Sequence, residues 1–160
     1  MITRRTFLAL LGGGAAVGGS ALAVRTLLPG VEQVGAYPSI QYGRESCSYC
    51  GMGIGDARFA SAWRTSEGKE RHFDDIGCMV NALRRDQPGE GTRFFVHDYR
   101  DESWLDAPMA TYLLSPSIKT PMAYGVAAVA NPTVAASLIP QTAASTQPWA
   151  QVLMDLERKS

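Results

Sequence analysis

Apolar positions along the chain change their spacing several times, and each change marks an element. Residues 57–63 set Phe59 and Trp63 as large apolar groups in a small-residue run, which predicts a strand. Ser66-Glu67-Gly68-Lys69 reads as a turn, and residues 70–73 return as a second strand, completing a hairpin. A helical period follows. Ile76, Met79, Val80 and Leu83 recur at i, i+3, i+4 and i+7, predicting a helix over 76–85 with Asp74 and Asp75 as N-cap candidates. Cys78 falls about 160° from the centre of that stripe, so Met79 belongs to the core while Cys78 faces another element or solvent. Arg84 and Arg85 suit the C-terminal end of the helix dipole, and Gln87-Pro88-Gly89 stops the helix.

Residues 92–99, rich in β-branched and aromatic side chains, form the clearest strand and complete a ββαβ unit. Beyond an acidic loop holding Trp104, residues 109–114 and the small-residue run 124–130 read as further strands, separated by Ser115-Pro116 and the loop Lys119-Thr120-Pro121-Met122. Alanine, serine, threonine and proline dominate 132–148, and no element is assigned there. Pro148 is placed at the first position of a last helix over 149–159, with Trp149, Val152, Leu153 and Leu156 on one face. The class is α+β, with small antiparallel sheets packed against helices and the second half readable as a degenerate ββαβ unit.

The amino terminus follows another logic. Thr3-Arg4-Arg5-Thr6-Phe7-Leu8 sets two arginines before an uncharged run that carries Gly12, Gly13, Gly14, Gly18 and Gly19. Such a run is a poor packed transmembrane helix and resembles a twin-arginine export signal, with Ala21-Leu22-Ala23 as a cleavage candidate. Residues 1–24 are therefore expected to be a signal or a retained amino-terminal anchor, 25–44 a linker, and 45–160 the folded domain. The expected location is across the cytoplasmic membrane, in the periplasm or on the outer surface. No cysteine stands at the end of the signal to accept a lipid. With 160 residues and Lys+Arg 15 balancing Asp+Glu 15, the chain offers one domain and no electrostatic case for nucleic acid.

Candidate chemistry concentrates in Cys47-Ser48-Tyr49-Cys50-Gly51-Met52-Gly53. Two thiols and a thioether are soft donors, which select Cu(I), Zn or Fe–S over hard cations. A thioether adds nothing to a zinc site and does serve a cuprous one, so Cu(I) stands ahead of Zn. Three cysteines in an exported chain leave at least one thiol outside any disulfide, and a metal accounts for it.

The motifs together resemble the nitrous-oxide-reductase accessory protein family, NosL. They are Cys47-x-x-Cys50-Gly51-Met52-x-Ile54, Phe73-Asp74-Asp75-Ile76-Gly77-Cys78-Met79, Val96-His97-Asp98-Tyr99, Trp104-x-Asp106-Ala107 and Thr120-Pro121-Met122, in the family's order. The resemblance implies two ββαβ units related to organomercurial lyase. It implies a non-enzymatic Cu(I) chaperone that supplies the copper–sulfide centre of nitrous oxide reductase. Apo-nitrous oxide reductase or its ABC-type maturation complex would be the partner. Many members are lipoproteins and not all carry Cys78, so this chain departs from the family at both points.

Cys50 and Met52 match the family motif and lead the expected metal ligands. Met122, in a Pro-flanked loop off any helical stripe, joins them, and Cys47 and Cys78 complete the set. The bland alternative pairs Cys47 with Cys50 in a disulfide and packs Met52 in the core. Met109 reads as packing, His72 and His97 as structural strand histidines, and Asp98, Asp101, Glu102 and Asp106 as solvated loop acids. Two other classes remain: an enzyme, either a thiol–disulfide oxidoreductase using Cys47 and Cys50 or a lyase using Cys47 or Cys50 with Cys78 and a proton donor, and a structural zinc domain with Cys47, Cys50, Cys78 and His72 or His97. Against the redox class, glycines follow Cys50 where a helix would have to begin.

Overall fold

The structure, a computed structural model, describes residues 37–157. The expected signal, the first part of the linker and the last three residues lie outside them. Among the described residues no helix is long and apolar enough to cross a membrane.

Strands β1 (Ser61–Arg64) and β2 (Glu70–Phe73) form the expected hairpin, closed by Thr65 N–H donating to the Lys69 carbonyl at 2.9 Å. Helix α1 (Ile76–Asp86) and strand β3 (Arg93–His97) follow, and β3 returns to the far side of β1. The second half repeats that plan. Strands β5 (Thr111–Leu114) and β6 (Val126–Val129) pair, helix α2 (Pro132–Thr142) crosses over, and β7 (Ser145–Pro148) returns to the far side of β5. Each unit is thus an antiparallel sheet with its first strand in the middle, and β4 (Trp104–Asp106) extends the first sheet beyond β3. A last helix, α3, spans Trp149–Glu157.

Local chemistry explains most departures from the sequence reading. β1 starts only at Ser61 because Asp56 accepts from both the backbone N–H and the guanidinium of Arg58, curling residues 56–60 into a turn. The acidic loop contains β4, whose three residues are too few to show a period. The unassigned stretch contains α2, capped by Asn131, whose side chain accepts from Val134 N–H at 3.0 Å, with Pro132 opening the first turn. Pro148, expected to open the last helix, instead ends edge strand β7, where a missing N–H is tolerated. Met109, expected to pack, is 79% exposed, because Pro108 fixes a short 3-10 turn over Ala107–Met109 that turns it outward. Residues 37–44, read as the end of a linker, lie against the domain: the Tyr37 ring stacks on Trp104, and the Tyr42 hydroxyl bonds His97 Nε2 at 2.8 Å.

Period-two alternation sends the side chains of the second sheet into two cores. Tyr112, Val126 and Ala128 join the core formed with α1, β1 and α3, while Leu113, Ala127 and Val129 face α2. Burial on both faces explains why 124–130 reads as a continuous small apolar run. The two sheets meet at Asp98. Its backbone bridges Ala128, its Oδ2 accepts from Ala130 N–H at 2.8 Å, and Tyr99 N–H donates to the Ala128 carbonyl. Asp98 is therefore a buried fastener, not the solvated acid expected.

Two predictions follow from this packing. A Cβ on Gly77 meets the Tyr124 ring at 2.2 Å, so Gly77→Ala is expected to cost about 1–3 kcal/mol in urea unfolding, and less in a Tyr124→Ala background. Burial lowers the pKa of His97, whose Nδ1–H donates to the Glu102 carbonyl while Nε2 accepts from Tyr42. The unfolded chain then takes up a proton that the folded chain refuses. Stability should fall as pH drops below about 6.5, with a slope that His97→Gln flattens.

Candidate metal centre

The cysteine knuckle is a short hairpin. Ser46 bridges Gly53, Cys47 N–H donates to the Met52 carbonyl at 2.7 Å, and Gly51 N–H donates to the Cys47 carbonyl at 3.0 Å. Gly51 takes φ +77°, a left-handed value that glycine adopts without strain, and this folds the chain back directly after Cys50. The knuckle is docked at both ends. Ser48 N–H donates to the carbonyl of His72 on β2, His72 Nδ1 faces the Glu45 carboxylate, and the Arg85 guanidinium lies 5.1 Å from the Tyr49 ring centroid.

Helix α1 brings the third thiol. Its hydrophobic stripe packs inward, yet Gly77, Cys78 and Asn81 are buried too, because the knuckle and Tyr124 cover the other side. Cys78, set opposite the stripe, therefore points at the knuckle. The sulfurs of Cys47, Cys50 and Cys78 all lie within 4.8 Å of one another, and all three cysteines are free. The Cys47–Cys50 disulfide alternative is not what this arrangement holds.

The three thiols are electrostatically unequal. Cys47 is brought down to about 4, first because the Cys78 thiol donates to it, and further because backbone N–H groups of Cys50, Asp74 and Tyr49 do the same. Cys78 is pushed up because its proton is committed to Cys47, with burial adding to the effect. Cys50 is raised chiefly by burial. One thiolate in a nest of backbone N–H groups, flanked by two protonated thiols, is a set of soft donors converging on one point.

Of the paired acids, Asp75 is the cap, accepting from Gly77 N–H at 2.8 Å, while the Asp74 carboxylate takes the Gly55 N–H and its backbone N–H serves Cys47. Asp75 also accepts from Met122 N–H at 3.0 Å, which fastens the Thr120-Pro121-Met122 loop to the start of α1. Met122 is half-buried against the core that contains Cys47 and Cys78, and Met52 is 53% exposed at the knuckle, so it is not the core residue of the bland reading. His72 and His97 are structural. His72 sits between Glu45 and Glu70, and His97 uses both ring nitrogens on Tyr42 and Glu102.

Fold and site together define an α+β domain of two ββαβ units that gathers three thiols between a hairpin knuckle and a helix start. A sequence model of the NosL family matches residues 40–156, and the chain belongs to that family. Among solved structures it is similar to the copper chaperone NosL from Shewanella denitrificans. That likeness has a TM-score of 0.61 at 16% identity and covers 72% of this chain and 93% of the other. No curated protein sequence matches the chain.

Burial sets the order in which the thiols meet a reagent. Cys47 is 3% exposed and Cys78 fully buried, whereas Cys50 is half-buried. Alkylation of the reduced native domain, followed by mass spectrometry, should label Cys50 first. Cys47 and Cys78 should be labelled only under unfolding conditions.

Proposed function

We propose that the protein is an exported, non-enzymatic Cu(I) chaperone that delivers copper for assembly of the copper–sulfide centre of nitrous oxide reductase. The observation that carries this reading is the convergence of three sulfurs within 4.8 Å, with no histidine or carboxylate among the described residues completing the group. Cu(I) is content with two or three soft donors, whereas structural zinc asks for four ligands. Both histidines that could complete a Cys3His site are engaged elsewhere. Membership of the NosL family, and the copper-chaperone title of the Shewanella denitrificans structure, support the same choice.

Cys47, Cys50 and Cys78 hold the ion in this reading, with the Met52 and Met122 thioethers as further donors. A graded exposure suits a carrier. Cys78 and Cys47 lie inside, while Cys50 and Met52 stand at the surface, where an acceptor's ligands exchange with them first. The acceptor is apo-nitrous oxide reductase or its ABC-type maturation complex, reached after export by the twin-arginine signal, with the domain free or held by that segment as an anchor. A thiol–disulfide oxidoreductase needs an accessible, low-pKa nucleophile. Here the lowered thiol is the buried Cys47, and the accessible Cys50 is raised.

The test is an anaerobic titration of the reduced domain against a chromogenic Cu(I) chelator, with Zn(II) in parallel. Near-stoichiometric Cu(I) capture with little zinc competition is expected. Cys50→Ser should weaken Cu(I) binding by at least about tenfold, and Met52→Leu should weaken it with urea stability unchanged. Tight zinc uptake accompanied by a gain of fold would overturn the reading in favour of a zinc-stapled domain.

A further inference from the structure

We propose that Asp75 is a positioning residue that holds the backbone of Met122 beside the helix turn carrying Cys78, so that the thioether is available to the ion held by the thiols, an inference that rests on Met122 being a ligand in the reading above. An N-cap needs one oxygen, and serine or asparagine serves as well as aspartate. Asp75 is fully buried and uses both of its oxygens. Oδ1 takes Gly77 N–H, inside the turn that carries Cys78. Oδ2 takes the N–H of Met122 itself, 47 positions further along the chain. The Thr120 hydroxyl also donates to this carboxylate, and Thr120 Oγ1 accepts from Gly125 N–H at 3.3 Å. The whole polar network is satisfied, which is what a buried carboxylate requires.

The loop so held is itself a closed clip. Ser115 N–H donates to the Gly125 carbonyl at 2.9 Å, and Ala123 N–H donates to the Thr120 carbonyl at 3.0 Å. Gly125 takes φ +70°, and a Cβ there would meet the Ser115 carbonyl oxygen at 2.4 Å. With its base closed and its tip tied to Asp75, the loop offers Met122 one place. The backbone of Met122 and the helix turn that carries Cys78 share a single anchor, so one carboxylate brings the two segments together before any ion arrives. Preorganisation of this kind raises affinity by ordering ligands in advance.

Asp75→Asn isolates the second oxygen. Its side-chain carbonyl still caps Gly77, while its amide group turns donors toward the Met122 N–H. In the apo domain the Met122 amide should then exchange with solvent faster. Cu(I) affinity should fall by roughly tenfold, as far as in Met122→Leu, and the double variant should fall no further. X-ray absorption of the Cu(I)-loaded variant should lose one sulfur scatterer relative to the parent. Thr120→Val, which keeps the cap intact, should move each readout in the same direction by less, and it serves in place of Asp75→Asn if that variant does not fold. Unchanged Met122 amide exchange, or an affinity loss in Asp75→Asn that adds to that of Met122→Leu, overturns the positioning role and leaves the ligand role standing. Full affinity in Met122→Leu removes the ligand role and the proposal with it.

Discussion

Packing on both sides of the first two turns of α1 is the constraint on which the rest of this molecule depends. Ile76, Met79 and Val80 seal the helix to the first sheet, as an amphipathic stripe should. The opposite side is covered as well, by the knuckle over Cys78 and by the Tyr124 ring lying against Gly77. Without a glycine at 77 the ring has no room, and the Tyr124 hydroxyl, accepting from the Asn81 amide, helps to seat the β5–β6 loop. Thiol convergence is thus a by-product of core packing, which makes the site rigid for the same reason that the fold is stable.

The two ββαβ units share a topology and differ in what their connections do. In the first unit the hairpin between β1 and β2 turns tightly around Gly68. In the second, the equivalent connection from β5 to β6 is long and carries Thr120 and Met122 back to the first unit's helix. The knuckle with Cys47 and Cys50 precedes the first unit and Cys78 lies on that unit's helix, while the clipped loop comes from the second. Asp98 fastens the sheets to each other, so the relative placement of loop and helix is held by the fold as a whole.

Electrostatics sorts the chemistry open to three thiols held this closely. Backbone N–H groups around Cys47 favour its thiolate and leave the protons on Cys50 and Cys78. A buried thiolate is poorly placed for attack on another protein's disulfide and well placed as a ready ligand. Cys50, half-buried beside the exposed Met52, is the thiol of the three that lies nearest to solvent.

Features with local causes were legible in the sequence. The hairpin of β1 and β2, the capped α1 with its arginine-rich end, the soft-donor knuckle and the family's motif series all rest on contacts within a few residues. The Asn131-Pro132 pair also signalled the start of α2, although the proline- and alanine-rich composition masked it. Three-residue β4 and edge strand β7 left too short a period to detect, and the fate of Pro148 depended on its pairing with Thr111. Placing Cys78 opposite the stripe was a sequence result, whereas its meeting with Cys47 and Cys50 was decided by which segment covers that side. The same holds for the burial of Asp98, the exposure of Met109 and the tie from Asp75 to Met122. The sequence by itself determined which donors are present and which local turns carry them. Tertiary structure alone decided which donors share a point, because that depends on segments far apart in the chain competing to cover the same helix.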